Sequence, residues 1–149
     1  MDAPLWSERP LPPPLSGRLP AWVWELRQAA DLTRSRTELR TRVLEAGVPP
    51  GHVDDDVERL LLAYEELASN GVRHGRAPVR AEVTAADGGW LIDVTDAGVQ
   101  HAPIAAPDRD PATGGLGLYL ITRLCDAYGW SVSGGRKHVW GHLGLAPTS

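Results

Sequence analysis

The chain has 149 residues, a formal net charge of -4, 42% hydrophobic and 23% charged residues, and far more arginine than lysine. That is enough for one domain with a proper core and too little for two ordinary ones. No basic block or basic helix face is present to track a phosphate backbone, which argues against nucleic acid as primary partner, and no apolar run approaches the ~20 residues that span a bilayer.

The first 20 residues carry Pro4, Pro10, Pro12, Pro13, Pro14 and Pro20. Such a segment has few amide donors and favours extension. It reads as a flexible N-terminal arm (1–20), or as a docking arm in which Trp6 and Leu11 pack on a partner or on the domain. It lacks the basic-then-apolar order of a signal peptide, so a cytoplasmic location is expected. The single cysteine, Cys125, lies in an apolar string and reads as a small core residue.

Residues 21–27 alternate, with Trp22, Trp24 and Leu26 on one face, which predicts a half-buried strand. Leu32, Leu39, Val43 and Leu44 then recur at helical spacing over residues 32–46, and Gly47 supplies a stop. After the Val48-Pro49-Pro50-Gly51 turn, Asp54, Asp55 and Asp56 favour the start of a second helix, residues 55–73. Two strands follow, around Val79 to Val83 and from Trp90 to Thr95, joined by Asp87-Gly88-Gly89. Residues 97–114 hold three prolines and little periodicity, the composition of a lid or mobile connection. A third helix is predicted over residues 117–127, then a hairpin of residues 130–133 and 138–143 across Gly134-Gly135. Trp22, Trp24, Trp90, Trp130 and Trp140 fall in these strands as core or sheet-face residues. The order predicts an α/β two-layer sandwich, a mixed and mostly antiparallel sheet with helices on one face. The domain would span residues 21–146, with a short tail at 147–149.

The second helix carries the first chemical signal. Glu66 and Asn70 are four residues apart and point the same way. A projection at ~100° per residue gathers Val57, Leu60, Leu61, Tyr64, Leu67, Ala68, Gly71 and Val72 on one apolar face. Glu66, Asn70, Arg59 and Arg73 cluster opposite, whereas Glu65 falls near the apolar edge. Ala63 lies near Asn70, where a small side chain leaves room for a ligand. A carboxylate and a carboxamide so placed suit a general base and a Mg²⁺ ligand, since phosphates supply the cation's remaining charge. By itself the pair could equally sit on a solvated face, although Asn70-Gly71 is poor helix-forming material with no evident reason to be there.

Two further signals follow. Asp96-Ala97-Gly98 ends a strand with a carboxylate that can accept from an exocyclic amine, or is an ordinary turn. Gly114-Gly115-Leu116-Gly117-Leu118 opens a helix whose amides and positive dipole end suit phosphates, or is a flexible helix entry. It is neither a P-loop nor a good dinucleotide fingerprint. Arg73, His74 and Arg109 are lesser candidates for phosphate contacts. The remaining histidines, His52, His101, His138 and His142, have no spacing that builds a metal site.

With these motifs in order, residues 21–143 resemble the histidine-kinase-like (GHKL) ATPases of the Bergerat fold, and most closely the small anti-sigma-factor serine-protein kinases of actinobacteria. The resemblance rests on Glu66, Asn70, His74 and Gly75, on Asp96 and Gly98, and on Gly115, Leu116 and Gly117. It implies Glu66 as the base, Asn70 as Mg²⁺ ligand, and Asp96 with Gly98 as the adenine contact. Arg73 and the Gly115, Leu116, Gly117 and Leu118 helix entry would hold the phosphates of ATP. It also implies a transcription regulator that binds a sigma factor, phosphorylates a small antagonist protein on Ser or Thr, and forms a homodimer without nucleic acid or membrane. Two positions depart from the pattern. Gln100 stands where a second glycine is common, and His138 is expected where a Thr often lies beside the base. An ATP-binding regulatory module that transfers no phosphate is the second reading. Sensor histidine kinases would need a preceding dimerisation module, and gyrase-like relatives further domains.

Overall fold

In the computed structural model the described residues are 7–12, 21–47, 55–86, 88–100 and 117–144. The elements are β1 (Ala21–Leu26), α1 (Ala29–Ala46), α2 (Asp55–His74), β2 (Val79–Ala86), β3 (Gly89–Asp96), α3 (Gly117–Leu124), β4 (Ala127–Ser133) and β5 (Arg136–Gly144). The five strands form one sheet in the order β1-β2-β3-β5-β4.

The isolated bridge between Glu8 and Trp130 of β4 is parallel, and every pairing between the named strands is antiparallel, in keeping with the mostly antiparallel sheet expected. The physical reason lies in the turns. Gly134 and Gly135 take φ of 62° and 75°, the left-handed pair that closes a tight hairpin and so forces β4 and β5 to run oppositely. Gly88, at φ 76°, serves the hairpin between β2 and β3.

One face of the sheet meets all three helices. Val79, Ala81 and Val83 of β2, Trp90, Ile92 and Val94 of β3, and Val139 and Leu143 of β5 join a single core with Leu39, Leu60, Leu67, Leu118 and Ile121 from the helices. Trp22, Trp24 and Trp130 pack partly against that core. Helix α1 starts three residues before the first expected apolar position. Asp31 in its first turn accepts from the backbone N–H of Arg27 at 2.8 Å and of Gln28 at 3.2 Å. The bond from Arg27 is the main reason its carboxyl sits below the usual range. Helix α3 stops at Leu124 rather than 127, because the Asp126 N–H already donates to the His142 carbonyl of β5 at 2.9 Å. Cys125 is buried, and burial pushes its thiol up to about 12, so it is an inert core thiol.

Trp140 is also buried, but on the other face. A Cβ at Gly141 would meet Cys125 and Leu67, so Gly141 faces the helices and its neighbour Trp140 faces away. Residues 7–12 cover it. The Arg9 carbonyl accepts from Trp140 Nε1 at 3.1 Å, and the Arg9 guanidinium lies 5.5 Å from the ring centroid. The Arg9 N–H donates to the Trp130 carbonyl at 2.8 Å, and Glu8 makes an isolated parallel bridge with Trp130. This part of the arm therefore lies along β4, with Leu11 half-buried; Trp6 is outside the described residues. Among the described residues no helix is long and apolar enough to cross a membrane.

Helices α1 and α2 are joined by one buried polar contact. Tyr64 Oη donates to Ser35 Oγ at 2.7 Å, and Ser35 Oγ donates to the Leu32 carbonyl at 3.1 Å. Burial pushes the Tyr64 phenol up to about 12, so it stays a neutral donor across the physiological range. Ser35→Ala strands a buried hydroxyl and is expected to cost about 2 kcal/mol, whereas Tyr64→Phe removes the donor and should cost about 1 kcal/mol. Urea unfolding of the two variants and of the double variant checks this. The double variant should cost less than the sum, because the stranded group is then gone.

Candidate functional site

The C-terminal half of α2 separates the two adjacent glutamates as the helical projection requires. Glu65 is exposed and reaches α1, with Oε2 3.5 Å from Arg36 Nε. Glu66 is half-buried on another side of the helix, four residues before Asn70, which is only 8% exposed. Burial is the main reason the Glu66 carboxyl titrates above its ordinary value of 4.5; Glu65 adds to the rise and Arg73 opposes it. Arg73 is exposed in the last turn and contributes to this end of the helix by charge.

Asn70 does not sit on an open solvated face. Among the described residues nothing hydrogen-bonds its carboxamide, so the carbonyl oxygen of this buried residue keeps its acceptor positions. That is one neutral oxygen donor, and no group of three His, Cys, Asp or Glu residues that could hold a metal occurs among the described residues. The set fits Mg²⁺, which retains waters and takes phosphate oxygens, and does not fit a cation held wholly by protein.

Three residues near the pair are structural. Arg59 shares the face of Glu66, but its guanidinium donates to the Gly144 carbonyl at 2.9 Å and pairs with Asp56 at 3.5 Å. Ala63 is fully buried in the core, so its small size serves packing and leaves no room for a ligand. Gly71 answers why Asn-Gly stands in a helix. A Cβ there would lie 2.8 Å from Val94 Cγ1 and 3.2 Å from Val79 Cγ1, so the glycine lets α2 rest on β2 and β3.

The same close approach continues to Asp96. A Cβ at Gly75 would come within 2.6 Å of the Gly71 carbonyl and 2.8 Å of Asp96 Cγ. Asp96 is 2% exposed in its side chain. Its Oδ1 accepts from the Gly98 N–H at 2.7 Å and the Arg76 N–H at 3.2 Å, which ties the end of β3 to the segment after α2. An ordinary surface turn does not bury its carboxylate in this way. Gly98 lines a cavity of about 160 Å³ with Arg76, Ala97, Val99 and Gln100.

The expected place of His138 is corrected by the sheet register. β3 and β5 pair Asp96 with Lys137, and Thr95 with His138. His138 therefore points to the opposite face, where its Nδ1 lies 2.9 Å from Asp93 Oδ2 and the hydrogen bond raises its pKa. Lys137 stands beside Asp96 instead, with Nζ 3.5 Å from Oδ2 and a side chain 6% exposed. Sequence reasoning missed it, although a signal was present: it is the only lysine in the chain.

The glycine-rich entry is described only in part. Gly115 and Leu116, with Arg109 and most of the expected lid, lie outside the described residues. Gly117 opens α3. The Leu118 side chain is 1% exposed within the core, so anything it offers a phosphate comes from its backbone.

The family model of the histidine kinase-like ATPase domain matches residues 28–140. No curated protein matches the chain. The matched span runs from the residue before α1 into β5 and contains Glu66, Asn70, Asp96 and Lys137. Gly75→Ala is expected to destabilise the domain by about 1–3 kcal/mol, the usual cost of overpacking against atoms that cannot move freely. Denaturant unfolding measures it, and unchanged stability would show that the turn has slack.

Proposed function

This chain belongs to the histidine kinase-like ATPase domain family and binds ATP, and on that premise we propose that it is a protein serine/threonine kinase acting as an anti-sigma factor. In this reading it sequesters a sigma factor in one state and phosphorylates a small antagonist protein on Ser or Thr in another. It works in the cytoplasm as a homodimer, with no nucleic acid or membrane as direct partner.

The observation that supports transfer is the pairing of a half-buried Glu66 with a buried Asn70 one helical turn away, at the end of α2 that packs on Asp96. ATP, when bound, would supply the phosphoryl group, and a Mg²⁺ held with it would neutralise the charge that develops during transfer. Glu66 takes the proton from the acceptor hydroxyl at a carboxylate oxygen. Desolvation makes that carboxylate a better base than an exposed glutamate, because its proton affinity is raised. Asn70 Oδ1 would be the protein's ligand to the cation. Asp96 Oδ2 accepts from the exocyclic amine of adenine, held in place by the two N–H bonds to its other oxygen. Arg73 and the backbone of Gly117 and Leu118 at the start of α3 would serve the phosphates.

The alternative, a nucleotide-binding module without transfer, keeps both its motives: Gln100, and a residue other than Thr beside Asp96, which the register makes Lys137 rather than His138. Titration with ATP in the presence and absence of Mg²⁺ tests the reading. Asn70→Ala should remove most of the Mg²⁺-dependent part of the affinity. Glu66→Gln should leave ATP affinity close to wild type and lower phosphate transfer by about 10²–10⁴-fold. Transfer that survives in Glu66→Gln would exclude Glu66 as base, and failure of the wild type to bind ATP would remove the proposal entirely.

The raised pKa gives a pH test with a definite sign. Transfer needs the ionised carboxylate, so the rate should fall as pH drops through a value above 4.5. Stability moves the other way. The fold favours protonated Glu66, so its contribution is full below the unfolded value near 4.5 and is lost as pH rises through the folded one. Glu66→Gln should therefore be as stable as wild type or more so at pH 7, even though its transfer rate is lowered.

A further inference from the structure

We propose that Asp96 and Lys137 act together as an acceptor–donor pair that reads the edge of adenine, the carboxylate taking the N6 amine and the Lys137 ammonium donating to N1. The proposal rests on the reading of this site as an ATP pocket and adds a second base-contacting residue to it.

Lys137 is an exceptional residue in this chain. All other fourteen of the fifteen basic Lys and Arg residues are arginine. The one lysine is the cation whose side chain is 6% exposed, and it stands directly across from Asp96 in the β3–β5 register. Burying an ammonium is costly unless it is paired, and its placement beside a buried carboxylate answers that cost. An arginine fork would spend several fixed donors here, whereas an ammonium is compact and turns three donors freely.

The Asp96 carboxylate retains acceptor positions for a ligand. A carboxylate offers about four acceptor positions. The described partners of Asp96 are two backbone N–H groups on Oδ1 and the Lys137 ammonium, 3.5 Å from Oδ2. Oδ2 thus has room for one more donor. A Cβ at position 98 would lie 2.9 Å from Asp96 Oδ1 and 3.7 Å from Lys137 Nζ, so a side chain there would crowd both groups. Gly98 also borders the cavity of about 160 Å³ at this end of β3.

The order of groups selects the base. The adenine edge presents a donor at N6 beside an acceptor at N1. Asp96 and Lys137 present an acceptor beside a donor, which is its complement. An ammonium can only donate, so it gives this edge a fixed polarity that a hydroxyl would not.

The test compares ATP with 1-deaza-ATP, which keeps the N6 amine and replaces N1 by C–H. Wild type should bind 1-deaza-ATP about tenfold to a hundredfold more weakly, the loss of one hydrogen bond to a charged group. Lys137→Met should bind the two nucleotides alike. Because the chain has one lysine, ¹⁵N-lysine labelling gives one side-chain ammonium signal without any variant. That signal should shift with ATP and respond weakly to 1-deaza-ATP, which keeps the test decisive if Lys137→Met does not fold. Equal binding of both nucleotides by wild type would overturn the proposal while leaving ATP binding intact. So would discrimination that persists in Lys137→Met, or an ammonium signal that ignores ATP. Wild type that binds no ATP would overturn both this proposal and the function beneath it.

Discussion

The distance between the last turn of α2 and the end of β3 governs the whole site. It is short because Gly71 and Gly75 carry no side chains where Val94, Val79 and Asp96 press against the helix. A glycine inside a helix costs about 1 kcal/mol relative to alanine. That cost is met by the rest of the same face of α2, where Leu60, Leu61, Tyr64 and Leu67 are each no more than 1% exposed and each contribute about 1.5–3 kcal/mol on burial. Core packing therefore pulls α2 onto the sheet, and the missing side chains set how far it descends.

The sheet divides its labour by alternation. On β5, Val139, Gly141 and Leu143 face the helices together with Lys137, while His138, Trp140 and His142 face away. The far face has its own chemistry of polar pairs, His138 with Asp93 and His142 with Asp126 at 2.7 Å. A shift of one residue in this strand would exchange the two sets and place an imidazole beside Asp96.

Much of this was legible beforehand, and the failures have physical causes. Helix α2 could be found because its apolar period is strong and its start is acidic, and the choice of Glu66 over Glu65 needed only helical geometry. The far turns of the hairpins were visible as glycines. The strand order was not, because it places β5 between β3 and β4, and crossovers of that kind are not stated by local sequence. Gly71 looked like a mark of function in the sequence, whereas its reason is a valine on another strand. His138 was misplaced because a strand's register cannot be counted from one side alone; the partner residue on β3 decides it. Lys137 escaped notice because a single lysine between Arg136 and His138 reads as part of a basic surface turn, and only pairing with Asp96 shows that it is buried.

The arm along β4 has a consequence for the order of assembly. Arg9 and Trp140 are 131 residues apart in the chain, yet one hydrogen bond and the face of the indole join them. Closing so long a loop carries an entropy cost that rises only with the logarithm of its length. The surface that receives residue 9 does not exist until β4 and β5 have paired. Among these contacts, the segment that leaves the ribosome early is the one that must wait longest for its place.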